Sequence, residues 1–248
     1  MKVLAYYPLH YGAEYLKESI ISILPCTTKI VFLYTEEPSY GHHTHLKNPE
    51  TKEQLKAIVD NTIKGQCAYE WVDVSVKGEG NHRNIAFKYA DGFDIVLAVD
   101  ADEIWNTEDL RVALEECKNS KWFAHKISGF INFWRSFKWE VKDFFEPYRL
   151  FNVKGVNDQQ GTIKARVYHL GYAQSKAITE YKLAIHGHKS EIAGNWYKDK
   201  FCAWETNKDL EKLHPASQDV WLKAEPFDDK ELPILLKMHP NYNKEIIE

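Results

Sequence analysis

A chain of 248 residues fits one large domain or two small ones, and 44% hydrophobic with 27% charged residues is the composition of an ordinary globular protein. A net charge of −4 argues against a broad nucleic-acid-binding surface, though it leaves room for a local basic groove near Lys121, Lys126, Arg135 and Lys138. Cys26, Cys67, Cys117 and Cys202 form no CxxC pair, the opening apolar stretch is too short for a signal peptide, and no run of eighteen apolar residues occurs; a cytoplasmic protein without a transmembrane segment, zinc knuckle or redox dithiol is expected.

Lys2 to Tyr7 reads as a first strand, stopped by Pro8. Glu14 to Ile23 carries apolar residues at helical spacing and Pro25 closes it. Lys29 to Tyr34 is a second strand, Lys52 to Ile63 a second helix, and Tyr69 to Val76 a third strand with alternating apolar residues. Asn81 to Ala90 is a third helix, followed by a strand over Asp94 to Val99 and a helix over Glu108 to Cys117. This alternation predicts a doubly wound α/β half with its loops on one edge. From Trp122 to Trp139 the chain turns aromatic and β-rich, with further strands at Tyr148 to Val153 and Lys164 to Tyr168. Ser175 to Asp229 reads as helical and loop-like. No repeat or linker interrupts the chain. The expected organisation is one domain over 1–190, with a nucleotide-binding half 1–105 and an acceptor-side half 106–190, and a carboxy-terminal elaboration over 191–248.

The densest chemistry lies in Asp94-Ile-Val-Leu-Ala-Val-Asp-Ala-Asp-Glu-Ile-Trp105, where a buried-type strand ends abruptly in three carboxylates. In open α/β sheets ligands bind beyond those strand ends. Crowded carboxylates repel, and a hard divalent cation relieves the repulsion while sharing its shell with substrate phosphates. The competing reading is a plain helix start, and Asn106-Thr107-Glu108-Asp109 supplies capping residues of its own. Gly78-Glu-Gly-Asn-His-Arg-Asn84 is a loop opening into a helix, in which Arg83 could fork onto a phosphate or simply pair with Glu79.

The segment Asn81-His-Arg-Asn-Ile-Ala-Phe-Lys-Tyr-Ala-Asp-Gly-Phe-Asp-Ile-Val-Leu-Ala-Val-Asp-Ala-Asp-Glu-Ile104 resembles the core of glycosyltransferase family 2-like enzymes of the GT-A fold. Tyr148-Arg-Leu-Phe-Asn152 and Tyr168-His-Leu-Gly-Tyr172 resemble later strands of that family. The likeness spans roughly 1–190 and is specific around 81–104. It implies a mainly parallel, Rossmann-like mixed sheet flanked by helices, with a helical and loop-like carboxy-terminal elaboration. It implies transfer of a sugar from a UDP-, GDP- or dTDP-sugar to a hydroxyl of a glycan, lipid, modified DNA or other acceptor, with inversion as the family tendency. Asp100 would lie near the donor and a Mn2+ or Mg2+ ion, Asp102 would ligate that ion, and His169 is the candidate further ligand. Tyr7, Pro8, His10, Glu36 and Asp73 would border the nucleotide and Arg83 its diphosphate; His188, in His186-Gly-His-Lys189, could line the diphosphate, help bind the metal or lie in a plain loop. Thr35-Glu-Glu-Pro-Ser39 departs from the acidic-Gly motif of the family after the second strand, which leaves base recognition undefined.

Glu146 and Asp143 are the candidate general bases, on the expectation that burial among the neighbouring rings raises a carboxyl pKa. Asp158 is a weaker candidate. The cluster His42-His43-x-His45 is metal-like in spacing but has no carboxylate or Cys nearby. Trp196, Trp204 and Trp221 could stack on sugars or pin the carboxy-terminal elaboration. Two rival functions remain open. A nucleotidyltransferase would want a Gly-rich basic loop after the first strand, where this chain has Pro8-Leu-His-Tyr-Gly12. A noncatalytic carbohydrate- or nucleic-acid-binding module would leave the acidic triplet without a role.

Overall fold

The computed structural model describes residues 1–38, 44–187 and 189–248, and all side chains of these except those of 157 and 158. In chain order the elements are β1 (Val3–Leu9), α1 (Leu16–Ile23), β2 (Lys29–Tyr34), α2 (Lys52–Ile63), β3 (Ala68–Asp73), α3 (Glu79–Asn84), β4 (Ile95–Ala98), β5 (Glu103–Trp105), α4 (Thr107–Asn119), β6 (Trp122–Trp134), β7 (Trp139–Val141), β8 (Tyr148–Asn152), β9 (Val156–Tyr172), α5 (Lys176–Ile185), β10 (Ala224–Pro226) and α6 (Ile234–Lys237). They fall into two units that interleave along the chain. The first comprises 1–41, 50–130 and 145–167, and the second 42–49, 131–144 and 168–248.

The first unit is mixed α/β with a mainly parallel sheet. β3, β2, β1 and β4 lie side by side and parallel, and β8 then runs antiparallel to β4, with β6 antiparallel to β8. Alternation along each central strand explains why both faces are buried. Val3, Ala5 and Tyr7 join Ile30, Phe32, Tyr34, Ile95, Leu97 and Val99 in one core, with Leu16 and Ile20 of α1, Leu55 and Val59 of α2, and Leu110 and Leu114 of α4. The alternate residues Leu4, Tyr6, Val31, Leu33, Val96 and Ala98 face the opposite way, onto Ile85, Ala86 and Phe87. Each large side chain buried this way contributes about 1.5–3 kcal/mol. Thr51 caps α2 by accepting from Gln54 N at 3.2 Å, and Asn106 caps α4 by accepting from Asp109 N at 3.0 Å.

β2 and α2 occupy the spans that periodicity predicts. The third helix is shorter than its apolar spacing suggests. Its α-helical part ends at Asn84 and continues as a 3-10 turn over Ile85–Tyr89. β5 and the length of β9 escape sequence reading. A polar run such as Asp158-Gln-Gln-Gly161 carries no alternation, and its extended form comes from pairing with neighbouring strands.

The second unit gathers an aromatic core. Trp134 meets Trp196, Phe201, Trp204 and Trp221 with ring centroids 5.7–6.3 Å apart, all edge-on. Of the two readings for the three carboxy-terminal tryptophans, pinning is the one found: Trp196, Trp204 and Trp221 are buried in this core. Among the described residues no helix is long and apolar enough to cross a membrane.

Candidate functional site

Parallel register sets the site. Leu9 of β1 is opposite Tyr34 of β2, Tyr34 is opposite Asp73 of β3, and Tyr6 is opposite Ala98 of β4. His10, Glu36, Asp73 and Asp100 therefore follow or end four parallel strands at their carboxyl edge, where α/β sheets bind ligands. Glu103 N donates to Asp100 O at 3.0 Å and closes a tight turn between β4 and β5 that carries Asp100 and Asp102. The loop after β1 packs against this turn. At Gly12, with φ +133°, an added Cβ would come within 2.4 Å of Ala101 Cβ. Gly12 N and Ala13 N both donate to the buried carboxylate of Glu50, at 2.5 and 2.8 Å.

Two guanidiniums converge on Asp100. Arg83 Nη2 lies 2.8 Å from Oδ1 and 3.0 Å from Oδ2, and Arg149 Nη2 lies 2.7 Å from Oδ2. Arg149 also forks onto Glu103, with Nε at 3.0 and 3.1 Å and Nη2 at 2.6 Å. Glu103 is fully buried. Burial pushes its carboxyl pKa up, and Arg149 only partly offsets this. Arg83 pairs as well with Glu79, one helical turn away at 2.8 Å. Burial alone would lower the Arg83 pKa, but Asp100 and Glu79 outweigh it and the group is raised. Its Nη1 is buried without a hydrogen-bond partner. A buried donor left unmatched costs stability, so this one is a standing demand for an acceptor.

The other predicted residues divide clearly. Tyr7 lies on the core face of β1, fully buried, stacked on Phe32 at 5.2 Å, with its hydroxyl 3.0 Å from Ser19 Oγ. The alternation of the strand turns Tyr7 away from the Arg83 side, and Tyr6, which sequence reading passed over, faces that guanidinium instead. Pro8 and His10 are half-buried, with His10 Nδ1 2.9 Å from Thr35 O. Glu36 is exposed. Asp73 is exposed, bonded to Lys52 Nζ at 2.5 Å and Trp71 Nε1 at 3.1 Å. Asp102 is half-buried in the acidic turn.

Glu146 is exposed, and the enclosure among rings expected for it is not found, because Phe144 and Phe145 are themselves 92% and 55% exposed. Asp143, in the second unit, is half-buried and already accepts from Trp221 Nε1 at 2.9 Å and Phe144 N at 2.7 Å. His169 also belongs to the second unit. Its Nδ1 meets Asn132 Oδ1 at 2.7 Å. His188, His42 and His43 lie outside the described residues, as does the side chain of Asp158. Among the described residues no group of three His, Cys, Asp or Glu side chains is arranged to hold a metal ion. Sequence reasoning missed Arg149 and Tyr6. The only signal for Arg149 was its place in the Tyr-Arg-Leu-Phe strand.

No protein-family model and no curated sequence matches the chain. Among solved structures it is similar to S. aureus TarS 1-349 in complex with UDP-GlcNAc, at 21% identity and a TM-score of 0.38 over 53% of this chain. It is similar to S. aureus TarS 1-349 at 13% identity and a TM-score of 0.46, over 84% of this chain and 73% of that one. It is similar to glucosyl-3-phosphoglycerate synthase from Mycobacterium tuberculosis in complex with Mg2+ and UDP, at 13% identity and a TM-score of 0.36, over 52% of this chain and 43% of that one. The match spans 36% of the length of the UDP-GlcNAc complex and 28% of the longer S. aureus TarS structure.

Proposed function

We propose that the first unit binds a nucleotide-sugar by its diphosphate and that the protein is a GT-A-type glycosyltransferase, passing the sugar to an acceptor hydroxyl with inversion. One observation carries the reading: an acidic turn and a half-buried, incompletely bonded guanidinium stand together at the carboxyl edge of four parallel strands. A diphosphate oxygen is the acceptor that Arg83 Nη1 lacks. His10, Glu36 and Asp73, on the neighbouring strand ends, would line the nucleoside.

A Mn2+ or Mg2+ ion fits a restricted version of this site. Such ions often take only one or two carboxylates and fill the rest of the shell with water and phosphate oxygens. Asp102, with Asp100 two residues away, would supply them. Asp100 would have to share oxygens now held by Arg83 and Arg149. When bound, the ion supplies positive charge to the departing diphosphate. The chain's own contribution is Arg83, which binds and neutralises phosphate, and Glu146, which would accept the proton of the acceptor hydroxyl. The rival nucleotidyltransferase reading loses support, because the Gly12 and Ala13 amides that a triphosphate loop would offer are occupied by Glu50.

The test is a thermal-shift titration with UDP, GDP and dTDP at millimolar concentration, each with and without Mn2+. One nucleotide should stabilise the protein more with the ion than the two separate effects predict. Asp102→Ala should abolish that synergy and leave the unliganded melting temperature within about 2 °C, because the side chain is only half-buried and lies outside the hydrophobic core. No synergy with any of the three would sink the reading.

A further inference from the structure

The two guanidiniums on Asp100 are not equivalent. Arg83 has capacity to spare, since its Nη1 meets no acceptor. Arg149 is engaged at all three nitrogens: Nε and Nη2 go to Glu103, Nη2 also to Asp100, and Nη1 to the carbonyl of Tyr148 at 3.1 Å. Its side chain is 9% exposed and its Cζ lies 5.8 Å from the centroid of Phe130. Four of its five N–H groups are spent in these contacts, and the fifth, on Nη1, belongs to a side chain with little surface to offer a ligand.

Strand pairing puts it there. β8 runs antiparallel to β4, with Leu150 opposite Leu97, so continuing the register places Arg149 beside Ala98, two residues before Asp100. Glu103 anchors the far side. Its Oε2 accepts from Asp100 N at 3.3 Å while its backbone N donates to Asp100 O. Arg149, Glu103 and the Asp100 backbone thus form a closed ring of contacts that fixes both ends of the acidic turn.

Resting on the donor reading given above, we propose that Arg149 is a positioning residue: it makes no contact with substrate and holds the Asp100 carboxylate, and through it Arg83, in the orientation that receives the diphosphate. A planar fork is required for this. A lysine would keep the charge, and its one nitrogen could stand in for Nη2, but it would lose the Nε bonds to Glu103 and the Nη1 bond to Tyr148 O that fix the direction of the group.

The experiment is calorimetric titration of whichever of UDP, GDP or dTDP, with Mn2+, binds the wild type. Arg149→Lys should weaken that affinity at least tenfold. Leu150→Ala, on the same strand and buried in the core, should lower stability yet leave affinity within twofold. Asp100→Asn should weaken binding too, and the double variant Asp100→Asn/Arg149→Lys should bind no worse than the weaker single one, because both changes cut one path. Should Arg149→Lys fail to fold, Glu103→Gln loosens the same anchor with little change of shape and is read the same way. An affinity for Arg149→Lys within twofold of wild type overturns the proposal. So does an equal loss in Leu150→Ala, or full additivity in the double variant. A wild type that binds none of the three nucleotides overturns the donor reading itself, and is distinguished by needing no variant.

Discussion

The two units bury an arginine in opposite ways. Arg149 in the first is surrounded by carboxylates, and although burial alone would lower its pKa, Glu103 and Asp100 raise it. Arg135 in the second is wholly inaccessible, meets Glu205 as its carboxylate, and lies with Cζ 3.9 Å from the Phe201 ring. There burial dominates and the pKa is lowered. Its Nε and Nη1 have no partner, and its backbone is held at φ 61°. Glu205 is shared with Lys176 at 2.9 Å. In the first unit a buried charge is matched by hydrogen bonds and becomes a geometric fixture. In the second it is embedded among aromatic faces and left under-bonded.

The sharpest way to break this contrast is to remove each guanidinium. Arg149→Met strands Glu103 as an unpaired buried carboxylate and should cost about 3–5 kcal/mol in urea unfolding. Arg135→Met removes two unmatched donors along with the charge, and Lys176 still neutralises Glu205. It should cost about 2 kcal/mol or less. Equal losses would refute the distinction. Because a chain of two units need not unfold in one step, unfolding is best followed by tryptophan fluorescence together with far-ultraviolet circular dichroism.

A smaller effect concerns pH. His82 is buried in the first unit with Nε2 2.7 Å from Leu33 O, and burial lowers its pKa. The unfolded chain then takes up the proton more readily than the folded one. The stability this group confers is complete above the unfolded histidine value of about 6.5 and is lost as pH falls through the lowered folded value. The urea midpoint should drop below about pH 6.5, by an amount that shrinks in His82→Gln. An unchanged pH profile in that variant would assign the loss elsewhere. The smallest effect should come from Glu146→Gln, which on an exposed loop ought to change stability by no more than about 0.5 kcal/mol while abolishing transfer to acceptor and sparing nucleotide binding.

How much was legible in the sequence follows from the period of the signal. The four parallel strands are readable because Ile30 to Tyr34 and Ile95 to Ala98 are continuous apolar runs, as strands buried on both faces must be. Their shared carboxyl edge, and with it the grouping of Asp100 with His10 and Asp73, follows from parallel pairing. What could not be read is which side chain turns which way. Tyr6 and Tyr7 are chemically identical, and only strand phase sends one to Arg83 and the other to Phe32. Arg149 is forty-six residues from Glu103, and its role exists only once β8 lies antiparallel beside β4. The enclosure of Glu146 was misread because flanking rings suggest burial, whereas Phe144 and Phe145 are themselves exposed.

The contact between Gly12 and Ala101 has a reach beyond local fit. The residue separating the two aspartates is no idle spacer, since its methyl group nests where the neighbouring loop has no side chain at all. Any enlargement at either place would wedge the loop and the aspartates apart. Residue 12 is already the smallest possible and its φ would strain any side chain placed there, so neither site can compensate for bulk at the other. A lineage drifting at residue 101 would disturb the spacing of its carboxylates without touching a single charge.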